Sequence, residues 1–530
     1  MEPLVILLAF AAGLAFRSAG YPPLLGYLLA GFFAHALGLG QGEAIATIAD
    51  LGITLLLFTI GLKLNLRELI APQVWGVASL QMLAVIPLTW LLIEGVGLAL
   101  PALALPSHGA ALTLAFALSF SSTVFTTKTL EEKGETVALH AAIAIGILII
   151  QDLFAVGYLV VSSGKFPTVY ALALLALPLL RPALERLLVW VGHGELLVLF
   201  GFVVAVGGAA LFEAVNLKGD LGALIIGMLL NSHRKSTELY KSLISFKDIF
   251  LIGFFLQIGY NGLPDSDMLL VALALGVLIF LRPLIYFVLL TAFHLRARTA
   301  MLAALSLATY SEFGLIVAQL AADQGVMDNA WVTAIALALS LSFFVATPLN
   351  NRTTELYNRF APALQRFERR RGREEDELVA PGAAEIVIVG AGRVGTGAYR
   401  FMSSRYPGNV LCVDENADKA GQLAAEGVYC VHGDGNDRDF WGRANLANRR
   451  LILVSLTNHK ENMEVVKLLQ SLDYAGSLAV VSRYPDEERE IRDLGCVTFN
   501  LYAEAGHGFA EHVLSQVAPT ISAPQRPQEF

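Results

Sequence analysis

Long apolar runs follow one another through the first 350 positions, near 3–16, 22–38, 47–62, 74–99, 108–130, 138–162, 167–189, 195–214, 218–232, 247–262, 268–293, 299–323 and 329–348. A bilayer core takes about 20 apolar residues of helix, so the pattern predicts about 13 membrane spans. Two runs carry polar interruptions, Ser119-Phe-Ser-Ser-Thr123 in the fifth and Thr309-Tyr-Ser-Glu-Phe-Gly314 in the twelfth. Such interruptions predict broken helices in two related halves, whose unwound carbonyls and half-helix dipoles bind ions near the midplane of inverted-repeat transporters. A polar stripe that packs helices together gives the same pattern.

From Ala384 the period changes. Strand-like runs at 385–390, 410–414, 428–432, 450–456 and 478–483 alternate with helical stretches, which predicts a β-α-β unit over 384–510. A charged linker over 351–383, with Arg366–Glu377 at its centre, joins it to the apolar membrane part at 1–350. The run also suits a solvated helix end. Residues 511–530 form a tail expected to be partly disordered, over Ala518–Phe530, where it is rich in Pro, Gln and Ser.

Composition agrees with a membrane protein: 55% of residues are hydrophobic and 15% charged, against about 25% charged in soluble domains. The N-terminus lacks the basic segment of a cleaved signal, so the first run is expected to stay as a span. With that end outside, Arg17, Lys63, Arg67, Lys128, Lys133, Arg181, Arg186, Arg234, Lys235, Lys241, Lys247, Arg296, Arg298, Arg352 and Arg359 fall inside, whereas Lys165 and Lys218 fall outside. That asymmetry predicts a cytoplasmic C-terminus. Cys412, Cys430 and Cys496 show no metal spacing and read as reduced cytosolic thiols.

Few charges lie inside the spans. Asp152, beside Gln151, sits mid-run, with Arg282 and Glu312 in later runs. An ionised side chain near the bilayer centre costs roughly 2.5 kcal/mol or more, so such residues usually face an aqueous cavity and handle ions or protons. A structural carboxylate tied to a neighbouring helix is the other reading. Ser121, Ser122 and Thr123 of the first interruption, on the preceding run, complete the expected ion and proton site with Asp152, Gln151, Arg282 and Glu312.

In the soluble part, Gly390-Ala391-Gly392-Arg393-Val394-Gly395 follows a strand and opens a helix, as the GxGxxG dinucleotide fingerprint requires. Asp414, with Glu415 after it, ends the second strand, where an acid binds ribose hydroxyls. The third strand runs into Gly433-Asp434-Gly435-Asn436. A Rossmann unit with only a structural role is the alternative. A dehydrogenase reading is disfavoured, because only about 45 residues follow the fifth strand and hold no substrate domain.

These landmarks, with Leu25-Gly-Tyr-Leu-Leu-Ala-Gly31, Leu57-Phe-Thr-Ile-Gly-Leu-Lys63, Phe254-Phe-Leu-Gln-Ile-Gly259 and Ser311-Glu-Phe313, resemble the Kef-type members of the cation:proton antiporter-2 family over nearly the whole chain. The Gly-Asp run resembles that of regulator-of-potassium-conductance domains. The resemblance implies a polytopic α-helical exchanger fold with inverted repeats and two crossed broken helices, joined to a C-terminal α/β Rossmann-like domain. It further implies a non-enzymatic, proton-coupled potassium transporter in a bacterial inner membrane, working as an elevator-type homodimer with AMP or NAD(H) as regulatory ligand. Arg282 occupies the place of a basic residue that approaches the ion-binding aspartate in relatives. A sodium/proton antiporter of the same fold or a nucleotide-gated potassium channel are the alternatives, the channel disfavoured for want of a TVGYG-like filter. With neutral Gln151 beside Asp152, one cation would exchange for one proton. Tyr240 and Ser242 stand where glutathione-gated relatives carry acids, so the resemblance does not extend to that gating.

Overall fold

The computed structural model describes residues 2–39, 51–62, 71–101, 105–162, 168–260, 263–369 and 382–517, with Arg373 and Asp376, apart from isolated positions within these ranges. Lys63, Arg67, Lys165, Lys218, Arg234, most of the linker at 370–381 and the tail at 518–530 lie outside the described residues. The chain forms two compact units, one comprising Met1–Thr129 and Ala142–Arg371, the other Leu130–Ala141 and Gly372–Phe530.

Among the described residues, every regular element of the first unit is a helix. Four helices are long and apolar enough to cross a bilayer: Pro72–Ala99, Glu195–Glu213, Ser266–Ala292 and Asn329–Asn351. Shorter apolar helices include Leu4–Ser18, Leu25–Ala36, His108–Ala117 and Leu139–Ala155. Two predicted spans are cut in half where the polar interruptions fall. The fifth splits into His108–Ala117 and Thr123–Lys133, and the twelfth into Ala297–Ser306 and Glu312–Asp323.

Serine hydroxyls start both second halves. Ser122 Oγ accepts from the Phe125 amide at 3.1 Å, and Ser311 Oγ accepts from the Phe313 amide at 3.1 Å. A side-chain cap of this kind satisfies an amide that lacks a helical partner. The extended stretches between the halves meet in an antiparallel bridge, Ser121 to Tyr310. Around them packs a core that includes Leu114, Phe120, Phe313, Trp331 and Phe343.

In the second unit, six parallel strands form one sheet: β1 (Ile386–Val389), β2 (Val410–Asp414), β3 (Cys430–His432), β4 (Leu451–Val454), β5 (Ser477–Ser482) and β6 (Val497–Asn500). Their order is β3-β2-β1-β4-β5-β6, so the connection direction reverses between β1 and β4. Ligands of open α/β sheets bind at the carboxyl ends beside such a switch. Five strands stand where the alternation predicts them, whereas β6 has no counterpart in it, because Val-Thr-Phe-Asn is too short to register as an apolar run. Cys412 and Cys430 lie opposite each other in the β2–β3 register, buried and unbridged. Burial pushes their thiols up to about 12 and about 11, so they stay protonated packing groups. Thr353–Leu364, inside the expected linker, is helical, and so are residues 511–517 of the expected tail, because the last helix runs Leu501–Val517.

Gly314, near the start of its half-helix, leaves no room for a side chain: an added Cβ would lie 2.5 Å from the Ala117 carbonyl oxygen. Gly314→Val is therefore expected to push the two broken segments apart and cost about 1–3 kcal/mol, read as a lowered melting temperature of the detergent-purified protein. An unchanged melting curve would contradict this close approach.

Candidate functional site

The broken helices gather the predicted membrane residues around one extended stretch. Ser121, Ser122 and Thr123 each hold a different group. The Ser121 amide donates to Gln151 Oε1 at 2.9 Å, Ser122 Oγ donates to Glu312 Oε2 at 2.9 Å, and Thr123 Oγ1 donates to Asp152 Oδ2 at 3.1 Å. Asp152 is 2% exposed, and its Oδ1 has no hydrogen-bond partner among the described residues. Both carboxylates thus sit where a half-helix begins, the end whose free amides favour negative charge.

Arg282 is bonded to the first break. Its hydrogen bonds run to the Leu118, Ser119 and Phe120 carbonyls at 3.3, 3.1 and 2.7 Å and to Ser121 Oγ at 2.9 Å. The cation therefore caps the carboxyl end of His108–Ala117, and none of these bonds reaches Asp152. Its Cζ lies 4.9 Å over the Tyr310 ring. The reason is geometric: unwinding leaves three successive carbonyls pointing into a dry interior, and a guanidinium is the side chain that can serve several at once.

Gln151 is likewise occupied. Its Nε2 donates to Gln81 Oε1 at 2.8 Å and to the Tyr286 hydroxyl at 2.7 Å. Gln81 and Tyr286 are fully buried and stand outside the predicted set, because an uncharged polar residue in an apolar span gives no signal of its own.

The nucleotide fingerprint lies at the switch between β1 and β4. Gly390 has φ +89°, and a Cβ on Gly395 would lie 1.9 Å from the Gly390 carbonyl oxygen, so both positions of the turn require glycine. Asp414 is anchored from three sides: Oδ2 accepts from the Ala391 amide at 2.9 Å and from Lys419 Nζ at 2.6 Å, and Oδ1 accepts from the Asn416 amide at 3.1 Å. A cavity of about 320 Å³ opens beside it. Gly390, Gly392, Asp414, Glu415, Gly433, Asp434, Gly435 and Asn436 of the predicted set line it, while Ala391, Arg393, Val394 and Gly395 do not. Arg393 is exposed, and the other three shape the turn and the helix behind it. Lys419, Ser455, Thr457 and Glu461 also line the cavity, outside the predicted set. Asn436 is 7% exposed with its Oδ1 unpartnered among the described residues, an acceptor waiting for a donor.

The cavity is acidic. Burial, then the charges of Asp434, Glu461, Glu135 and Asp414, pushes Glu415 up to about 9. Burial, then Glu135, Asp434 and Glu464, pushes Glu461 up to about 8.

Residues 5–351 match the model of the sodium/hydrogen exchanger transmembrane family, and residues 386–499 match the TrkA-N domain. The chain belongs to the sodium/hydrogen exchanger family. Among curated relatives, this exchanger is 26% identical to the glutathione-regulated potassium-efflux system protein KefC of Salmonella schwarzengrund, over 89% of this chain and 77% of that one. It is equally 26% identical to the putative cation/proton antiporter YbaL of Escherichia coli, over 92% of each chain. Among solved structures, the sodium proton antiporter MjNhaP1 of Methanocaldococcus jannaschii aligns with a TM-score of 0.45 at 15% identity, covering 68% of this exchanger and 96% of that chain. The exchanger is thus a membrane transport protein carrying a TrkA-N domain, the architecture expected of a Kef-type antiporter.

The acidic cavity makes the TrkA-N domain sensitive to alkali. An unfolded carboxyl ionises near 4.5, whereas Glu415 and Glu461 hold their protons up to about 9 and about 8. The unfolded chain therefore releases protons first, and stability falls as pH rises through that window. Glu461→Gln is expected to raise the melting temperature at pH 8 and leave it unchanged near pH 4.5. Equal shifts at both values would contradict the clustering of these acids.

Proposed function

We propose that this exchanger moves potassium out of the cell against proton entry, with Asp152 as the group that proton and cation share. The observation that carries this reading is the half-satisfied carboxylate of Asp152. One oxygen is held by Thr123, and the other lacks a partner among the described residues in a buried setting, beside Glu312 at the start of two half-helices. A proton or a cation can complete it, and the two exclude each other. The two broken segments are then the crossed helices of an alternating-access core. Because Gln151 is neutral and already bonded, a turnover would exchange one cation for one proton and move no net charge. A sodium/proton exchanger of the same fold would use the same carboxylate.

The TrkA-N domain would regulate this cycle by binding AMP or NAD(H) in the cavity bounded by Gly390, Asp414 and Asn436. A phosphate would meet the amino end of Arg393–Arg405, ribose hydroxyls would meet Asp414, and a donor on the ligand would satisfy Asn436 Oδ1. A homodimer is the state in which the exchanger would work. Its last helix leaves Tyr502 and Phe509 60% and 71% exposed, an apolar face that a second copy would cover. The N-terminus would lie outside and the TrkA-N domain in the cytoplasm.

Proteoliposomes holding a pH gradient test the reading. Potassium should dissipate the gradient without developing a membrane potential, and Asp152→Asn should abolish that movement while the protein stays folded. Cation-dependent proton movement persisting in the Asn variant would overturn the assignment, and a current without proton coupling would favour a channel. AMP and NADH should each change the rate in the parent protein, and a Gly395→Val variant should lose that response alone.

A further inference from the structure

Ser121 Oγ has one hydrogen and three neighbours, which fixes the direction of a whole chain of bonds. The Leu307 carbonyl, 2.9 Å away, can only accept, so it receives the Ser121 hydrogen. Arg282 can only donate to Ser121, at 2.9 Å. Tyr286, whose hydroxyl lies 2.9 Å from Ser121 Oγ, must then donate as well. With its hydrogen spent, the Tyr286 oxygen accepts from Gln151 Nε2 at 2.7 Å. The second Gln151 hydrogen goes to Gln81 Oε1 at 2.8 Å, and Gln151 Oε1 receives the Ser121 amide. Gln81 closes the chain by donating to the Ser119 carbonyl at 3.4 Å. The Ser121, Tyr286 and Gln151 hydrogens each have a defined place, and the Gln151 oxygen is held by the Ser121 amide.

The chain ends on the residue immediately before Ser122 and Thr123, the two that hold Glu312 and Asp152. Fixing Ser121 fixes the register of the extended stretch and with it the placement of both carboxylates. We propose that Tyr286 and Gln81 are positioning residues for exchange: through Gln151 they hold the unwound segment so that the carboxylates present their oxygens to the cation. Neither touches the cation. The inference rests on the antiport reading above, and it assigns cation affinity to two uncharged residues on separate helices, Leu278–Ala292 and Pro72–Ala99.

The test uses the full chain in proteoliposomes, with Tyr286→Phe, Gln81→Leu and Gln81→Glu. The first two break the chain at independent places, so either alone is decisive if the other fails to fold. Losing one buried hydrogen bond should raise the apparent KM for potassium about tenfold, with kcat within about threefold and the pH profile of the saturated rate unmoved. Gln81→Glu, buried and therefore held protonated, keeps an acceptor for Gln151 and a donor for the Ser119 carbonyl, and should keep the parent KM. A merely structural role would lower protein yield or kcat and leave KM alone. Backbone amide exchange over residues 119–123 gives a second measurement that needs no transport: it should speed up in Y286F and Q81L and return to the parent rate in Q81E. If the parent moves no protons with any cation, the antiport reading falls and the amide exchange alone decides the positioning role. Unchanged KM or unchanged amide exchange in both Y286F and Q81L would overturn the proposal.

Discussion

A guanidinium shut away from water must draw its hydrogen-bond acceptors from the protein, and Arg282 draws them from the open end of a helix. That single arrangement organises the exchanger core. Breaking a helix strands carbonyls on one side and amides on the other. The carbonyls of the fifth span receive the cation, and the amides at the start of both second halves lie beside Glu312 and the Thr123–Asp152 pair. Separation of charge along the break keeps Arg282 bonded to carbonyls, and so leaves an Asp152 oxygen without a partner among the described residues. A direct ion pair between the two would occupy that oxygen and would be very costly to separate.

Charge made the membrane site legible in the sequence, and the lack of charge hid what supports it. Asp152, Glu312 and Arg282 stand out because an ionised group in an apolar run is expensive, and Ser119–Thr123 stands out as a polar break. Gln81 and Tyr286 have no such contrast, and their roles depend on which helices lie side by side. The place of Arg282 cannot be read from spacing either, since a basic residue on a neighbouring span can reach either end of a broken helix. In the TrkA-N domain the glycines are legible because a tight turn admits nothing else. Lys419 and Glu461 are not, because charged residues on amphipathic helices ordinarily face solvent.

The same contrast explains the boundaries. Alternation locates five strands, and β6 fails to show because it is short and its apolar residues, Val497 and Phe499, are the exposed ones. The count of spans is harder, because a span divided into two half-helices no longer has the length by which a span is recognised. His108–Ala117 and Glu312–Asp323 are each too short to cross a bilayer alone, yet they pack against each other as parts of one core.

The bridge between Ser121 and Tyr310 has a mechanical consequence. It is reinforced by the bond from Ser121 to Leu307 and by another from Thr126 to the Ser306 carbonyl at 2.7 Å. Two segments welded at their weakest points cannot hinge there independently. A displacement of one broken segment is therefore passed to the other at the bridge, and the breaks act as a coupling between the two segments rather than as two separate joints.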